Sequence, residues 1–127
     1  MVSIIDNNTI SLLNLALNAT TMRHQAIAHN IANNGTPGYR PIGVSFEAQL
    51  AQARDAMASN PDKPLASLGD FQPVFEFLPP NALGDSVVSL DMEIARLSEN
   101  TLHHEALLKA LNKHLSIIGS AINEGKR

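Results

Sequence analysis

The sequence predicts a mainly α protein. Its long N- and C-terminal helices should pair as an antiparallel coiled-coil hairpin beside a small irregular middle region. Three observations carry this. The residues Leu90, Ile94, Leu97, Thr101, His104, Leu108, Leu111, Leu115, Ile118 and Ile122 follow one another in alternating steps of four and three. That spacing holds a stripe on one side of a helix and marks a seam against another helix. Neither Gly nor Pro interrupts residues 8–34, and all seven prolines fall between Pro37 and Pro80. The chain therefore divides into an N-terminal helical segment (1–34), a loop-rich middle region (35–86) and a C-terminal helical segment (87–127).

Each element has a local reason. The first helix should run over about 8–34, with Asn8 or Thr9 capping an orphan backbone N–H at its start. Leu13, Leu17, Thr20, Ile27 and Ile31 share one face, with Leu12, Ala16, Ala19, Met22 and Ala26 beside it. Asn34-Gly35 should end the helix, glycine supplying a left-handed cap. Thr36 is pushed toward extended backbone by Pro37, and Pro37-Gly38 suits the centre of a type II turn. In the middle, residues 46–57 have the composition of a short helix. Asn60-Pro61, Lys63-Pro64 and Gly69-Asp70 then break any regular element. Phe71, Val74, Phe75 and Phe77 suggest a short strand with a local aromatic cluster, its hairpin partner being Val87-Val88 or nearby. Ser86 or Ser89 should cap the last helix, Asp91 and Glu93 complement its N-terminal dipole, and Gly125 ends it.

Composition removes several functions. The apolar residues are chiefly small or aliphatic, with four Phe, one Tyr and no Trp, so large seeds of a compact core are scarce. The two terminal helices are expected to order fully only against partners, since a lone helix leaves its stripe wet. A net charge of −3 with scattered Lys and Arg argues against a nucleic-acid binder. The absence of cysteine excludes disulfides and thiolate chemistry. No apolar run approaches a membrane span, and the first residues lack the features of a cleavable secretory signal.

No catalytic constellation is visible. His24 and His29 are five apart and fall on different helix faces; His103 and His104 are adjacent, and His114 lies nearly three turns further on. None makes the i, i+4 pair of a helical zinc site. Asp91 and Glu93 point in different directions, and no nucleophile elbow, phosphate loop or dinucleotide fingerprint occurs. The sequence thus predicts no enzyme, no cofactor and no metal. His104 reads as a core histidine satisfied by a partner, with pH-sensitive packing as a weaker reading. Asn30, one turn before the helix end, is either solvated surface or a buried group bonded to the turn backbone or a neighbouring chain, where it would fix register.

The stretch Arg23–Arg40, RHQAIAHNIANNGTPGYR, resembles the signature of the bacterial flagellar rod, hook and hook-associated family. In that family a helix ends in Asn-Ile/Leu-Ala-Asn-x-x-Thr-Pro-Gly-Tyr, and Asn30, Ile31, Ala32, Asn33, Thr36, Pro37, Gly38 and Tyr39 match it. The residues Val44–Leu50 and Ser98–Leu108 are similar to stretches of the family's proximal rod members. His104 stands where those often have Tyr, and Gly84-Asp85-Ser86 replaces an Asp-Gly-Asn turn. The resemblance implies a structural subunit, exported unfolded through the flagellar type III apparatus without a cleaved signal, whose terminal helices form an inner coiled coil around the rod channel and help transmit torque. It implies as partners other rod subunits including FlgC and FlgF, the adaptor FliE and the inner-membrane ring FliF. It involves no nucleic acid and no membrane insertion. The assembly seam would comprise Leu90, Ile94, Leu97, Leu108, Leu111, Leu115, Ile118 and Ile122. A soluble coiled-coil adaptor or flagellar export chaperone, or a sister rod protein, is the alternative.

Overall fold

The computed structural model describes residues 2–60, 71–79 and 89–125. Helix α1 spans Val2–Ala32 and is followed by strand β1 (Ile42–Ser45), helix α2 (Glu47–Ser59), strand β2 (Val74–Phe77) and helix α3 (Leu90–Gly125). At about 1.5 Å per residue α3 is on the order of 54 Å long. It runs antiparallel to α1: Asn30 meets Glu93 near one end, and Thr20 meets Asn100 and His104 further along. The expected helical hairpin is present.

Helix α1 starts at Val2, earlier than the cap expected at Asn8 or Thr9. Neither residue breaks a helix without help from Gly or Pro, and Asn8 is buried within it. The end also differs in detail. Gly35 carries no positive φ; Gly38, at φ 75°, is the one described glycine that does. The last turn closes instead through Asn33, whose backbone N–H donates to His29 O (3.1 Å) and whose side-chain Nδ2 donates to the same oxygen (2.9 Å). Asn34 N–H donates to Ile31 O and Thr36 N–H to Asn33 O, tightening the exit. The Pro37-Gly38 turn is as expected, with Tyr39 N–H donating to Thr36 O at 3.3 Å.

In the middle region, α2 begins one residue later than expected because Phe46 serves as its N-cap residue and is buried. β2 pairs with β1, in the antiparallel register Ile42↔Phe77, Gly43↔Glu76, Val44↔Phe75, Ser45↔Val74. The expected partner at Val87-Val88 lies outside the described residues, as do Ser86 and the Gly84–Ser86 turn. The expected aromatic cluster does not form: Phe71 packs on the core, whereas Phe75 and Phe77 are exposed. Arg40 covers the Phe77 ring at 4.3 Å.

The core lies between α1 and the middle region. Leu15, Ala19, Phe46 and Ala53 form it, with Leu12, Ala16, Val44, Leu50 and Phe71 packed around. No α3 residue belongs to it. What α3 buries is polar: Glu93 and Asn100.

Candidate assembly seam

Along α3 the residues that are buried or half-buried, apart from Gly119 next to Ile118, are Glu93, Leu97, Asn100, His104, Leu107, Leu111, His114 and Ile118. They too step by fours and threes, and this row faces α1. Of the stripe read from the sequence, Leu97, His104, Leu111 and Ile118 belong to it. The others form a second row on the adjoining face: Ile94 (49% exposed), Thr101, Leu108 (41%), Leu115 (47%) and Ile122 (55%), each seven residues after the last, with Leu90 also exposed at the helix start. A single stripe is thus divided, four of its ten residues turned to α1 and six outward.

The inner row is fastened by hydrogen bonds at two levels. At the first, Asn30 is 1% exposed and Glu93 2%. The Asn30 Nδ2 donates to Ile42 O (2.9 Å) and to Glu93 Oε2 (3.2 Å); its Oδ1 accepts from Ile42 N–H (2.9 Å) and from the Tyr39 hydroxyl (2.8 Å). The side-chain amide therefore pairs with Ile42 as a neighbouring strand would, and every donor and acceptor of the carboxamide is used. Glu93 Oε1 also accepts from Arg96 at 2.7 Å, so the buried carboxylate meets a charge as well as an amide, the condition under which burial is tolerated. Burial, and then the Glu93 charge, raises the Tyr39 hydroxyl above its ordinary pKa of 10.0. Asn30 is thus buried rather than solvated, and the backbone it bonds is that of Ile42 in β1, just beyond the turn, rather than the turn itself.

At the second level, Asn100 Nδ2 donates to Thr20 O (2.8 Å). Thr20 Oγ1 donates to Leu17 O (2.8 Å) and lies 2.7 Å from His104 Nδ1. A hydroxyl has one proton, so with that proton on Leu17 the ring nitrogen is the donor. His104 is therefore a half-buried seam residue held by α1. An Arg23–Glu47 ion pair joins α1 to the first turn of α2.

The stretch from Asn30 to Tyr39 is one structural device. Asn30, half-buried Ile31 and Ala32 finish the helix; Asn33 closes its last turn and accepts from the Thr36 hydroxyl (3.2 Å); Pro37 and Gly38 reverse the chain; Tyr39 returns to Asn30. Sequence reasoning missed Glu93, Asn100 and Thr20 as partners across the helices. The signal was there in that Glu93 and Asn100 sit seven apart at seam spacing, but their polarity reads as surface. Among the described residues no cluster of His, Asp or Glu is arranged to hold a metal, and no helix is long and apolar enough to cross a membrane.

No protein-family model matches the chain. It is similar to flagellar basal body rod protein FlgB of Bacillus subtilis (strain 168), 27% identical over 128 residues that cover 94% of this chain and 97% of that protein. It is likewise 27% identical over 123 residues to FlgB of Escherichia coli (strain K12), covering 87% and 89% of the two chains, and 24% identical over 108 residues to FlgB of Aeromonas hydrophila, covering 80% and 82%. By sequence, then, this chain is a relative of the flagellar basal body rod proteins FlgB along most of its length.

Proposed function

We propose that the chain is a structural subunit of the proximal rod of a bacterial flagellar basal body. The observation that carries this is the outward row of α3 in a chain whose relatives are named as rod proteins. Ile94, Leu108, Leu115 and Ile122 form an exposed apolar row on a helix whose other face is already engaged. In this reading that row, with Leu90, is covered by neighbouring subunits, while Leu97, Leu111 and Ile118 hold α3 on α1. Residues 1–34 and 87–127 form the inner coiled coil that lines the export channel and transmits torque, and 35–86 project from it. The motif from Asn30 to Tyr39 fixes where the inner coiled coil ends.

The neighbours in this reading are further copies of the chain, the rod proteins FlgC and FlgF, the adaptor FliE and the ring protein FliF, with delivery by the flagellar export apparatus without a cleaved signal. The role asks nothing of catalysis, cofactor or metal. Mass spectrometry of hook–basal bodies purified through detergent and salt tests it: the chain is expected to stay with the particle. Its loss at that step favours the alternative, a soluble adaptor or export chaperone.

A further inference from the structure

The β1–β2 ribbon has two edges, and they are treated differently. Leu78 N–H donates to Pro41 O at 2.9 Å, next to the bridge Ile42↔Phe77. Antiparallel pairs alternate between bonded and non-bonded, so Gly43↔Glu76 and Ser45↔Val74 are the bonded ones. The backbone groups of Ile42 therefore point out of β1 on its far side, where the Asn30 carboxamide takes both of them. On β2 the same alternation turns the N–H and C=O of Phe75 and Phe77 outward, and among the described residues nothing meets them. Their rings are exposed too, at 45% and 59%.

An open edge strand of apolar residues is a template for another strand. Here its length is limited. The next outward positions on either side are Pro73 and Pro79, which have no N–H to offer. Two donors remain, enough for a guest of about three residues. The guest is not β2 of a second copy. Centring such a pair on Glu76 sets two carboxylates directly opposite, and centring it on Phe75 or Phe77 sets a proline against one of the two donors. Like charges directly across a ladder destabilise it.

We propose that the free edge of β2 takes up a short extended segment of a partner protein, paired antiparallel, with a Lys or Arg between two apolar residues. The basic side chain lies opposite Glu76, which is exposed on the face away from the phenylalanines, and the apolar pair packs beside Phe75 and Phe77. This surface is separate from the α3 row and does not depend on the rod assignment.

The test uses the full chain labelled for amide NMR and the blocked peptide Thr-Val-Lys-Val-Thr as probe. Saturable shifts and slowed exchange are expected at the Phe75 and Phe77 amides. The corresponding peptide with Glu at its centre should bind about twofold to fivefold more weakly, and Glu76→Lys should reverse that preference. Phe75→Pro, which removes an outward N–H without touching the ladder, should abolish binding while the Asn30 side-chain signals stay in place. Absence of saturable shifts overturns the proposal, as does equal affinity for both peptides in both proteins. Protection of the two amides before any peptide is added overturns it as well, since a segment of this chain or of a second copy then occupies the edge.

Discussion

Helix α1 has two neighbours, and it meets them with different chemistry. Toward α2 and β1 it offers Leu15 and Ala19, which close on Phe46 and Ala53 in an apolar core. Toward α3 it offers Asn30 and Thr20, which hydrogen-bond Glu93, Asn100 and His104. The first contact supplies non-directional burial. The second supplies direction: an amide or carboxylate that must find its partner tolerates one register only. The middle region therefore holds α1 mainly by burial, with the Asn30–Ile42 hydrogen bonds and the Arg23–Glu47 ion pair as polar links. Helix α3 is set in register by its polar contacts, with Leu97, Leu111 and Ile118 only half-buried beside them. The apolar residues that α3 does not spend on α1 remain on its outer row.

The largest effect should come from the apolar side of this comparison. Phe46→Ala removes the one large aromatic fully inside the core and is expected to cost about 3–5 kcal/mol in urea unfolding. On the polar side, Asn30→Ala leaves the backbone of Ile42 and the Glu93 carboxylate without an amide, at about 2–4 kcal/mol. The two losses differ in a second way. Because Asn30 and Glu93 share one network, Asn30→Ala combined with Glu93→Leu should cost less than the separate changes added together; strict additivity would show that the polar layer does not act as a unit. A smaller loss, about 1–2 kcal/mol, is expected from Gly38→Val, which places a β-branched residue at φ 75°. Gly38→Asn, which tolerates that region, should recover most of it.

Tyr39 gives a pH signature confined to the polar side. Its folded-state pKa is raised, so the hydroxyl stays protonated in the native protein while the unfolded chain ionises around pH 10.0. The stability it contributes is complete below that value and is lost as pH rises through the folded-state pKa. Because the chain has a single tyrosine, tyrosinate absorbance reads the native titration directly. It is expected above pH 10.0, and Tyr39→Phe should flatten the fall in stability over the same window. A native midpoint below the ordinary value would break the assigned environment.

How much of this could be read from the residues obeys the same division. The helices, the Asn30–Tyr39 exit and the Gly38 turn were legible because capping, proline and positive φ are local. The stripe on α3 was legible as a stripe, but apolar spacing finds wherever apolar residues lie, and on α3 more of them lie outward than inward. The inner row is half polar, with Glu93, Asn100, His104 and His114 set among Leu97, Leu107, Leu111 and Ile118, and hydropathy alone selects only the apolar half. β1 was missed for a related reason. Ile42-Gly43-Val44-Ser45 holds two strand formers, but it is only four residues long with a Gly inside it. It is fixed by Asn30, twelve residues earlier, and by β2, which is non-local.

The smallest effect on stability is the one that best separates the two rows of α3. Leu111 is half-buried against α1, whereas Leu108, three residues earlier, is 41% exposed on the outer row. Leu111→Asp puts a charge at the helix seam and should lower the thermal midpoint of the isolated protein measurably. Leu108→Asp changes a side chain at the exposed rim of the α1–α3 cleft, beside Thr101 and Glu105 rather than in the inner row, so its unfolding free energy should change by no more than about 0.5 kcal/mol. If the outer row is an assembly surface, that same change places an unpaired charge in a subunit contact. A strain carrying only the Leu108→Asp chain should export it and yet fail to swim, while the purified variant melts like the unmodified protein. Normal swimming would leave the outer row as exposed surface without a partner. A lowered midpoint for Leu108→Asp would instead place Leu108 in the α1–α3 contact and erase the distinction between the rows.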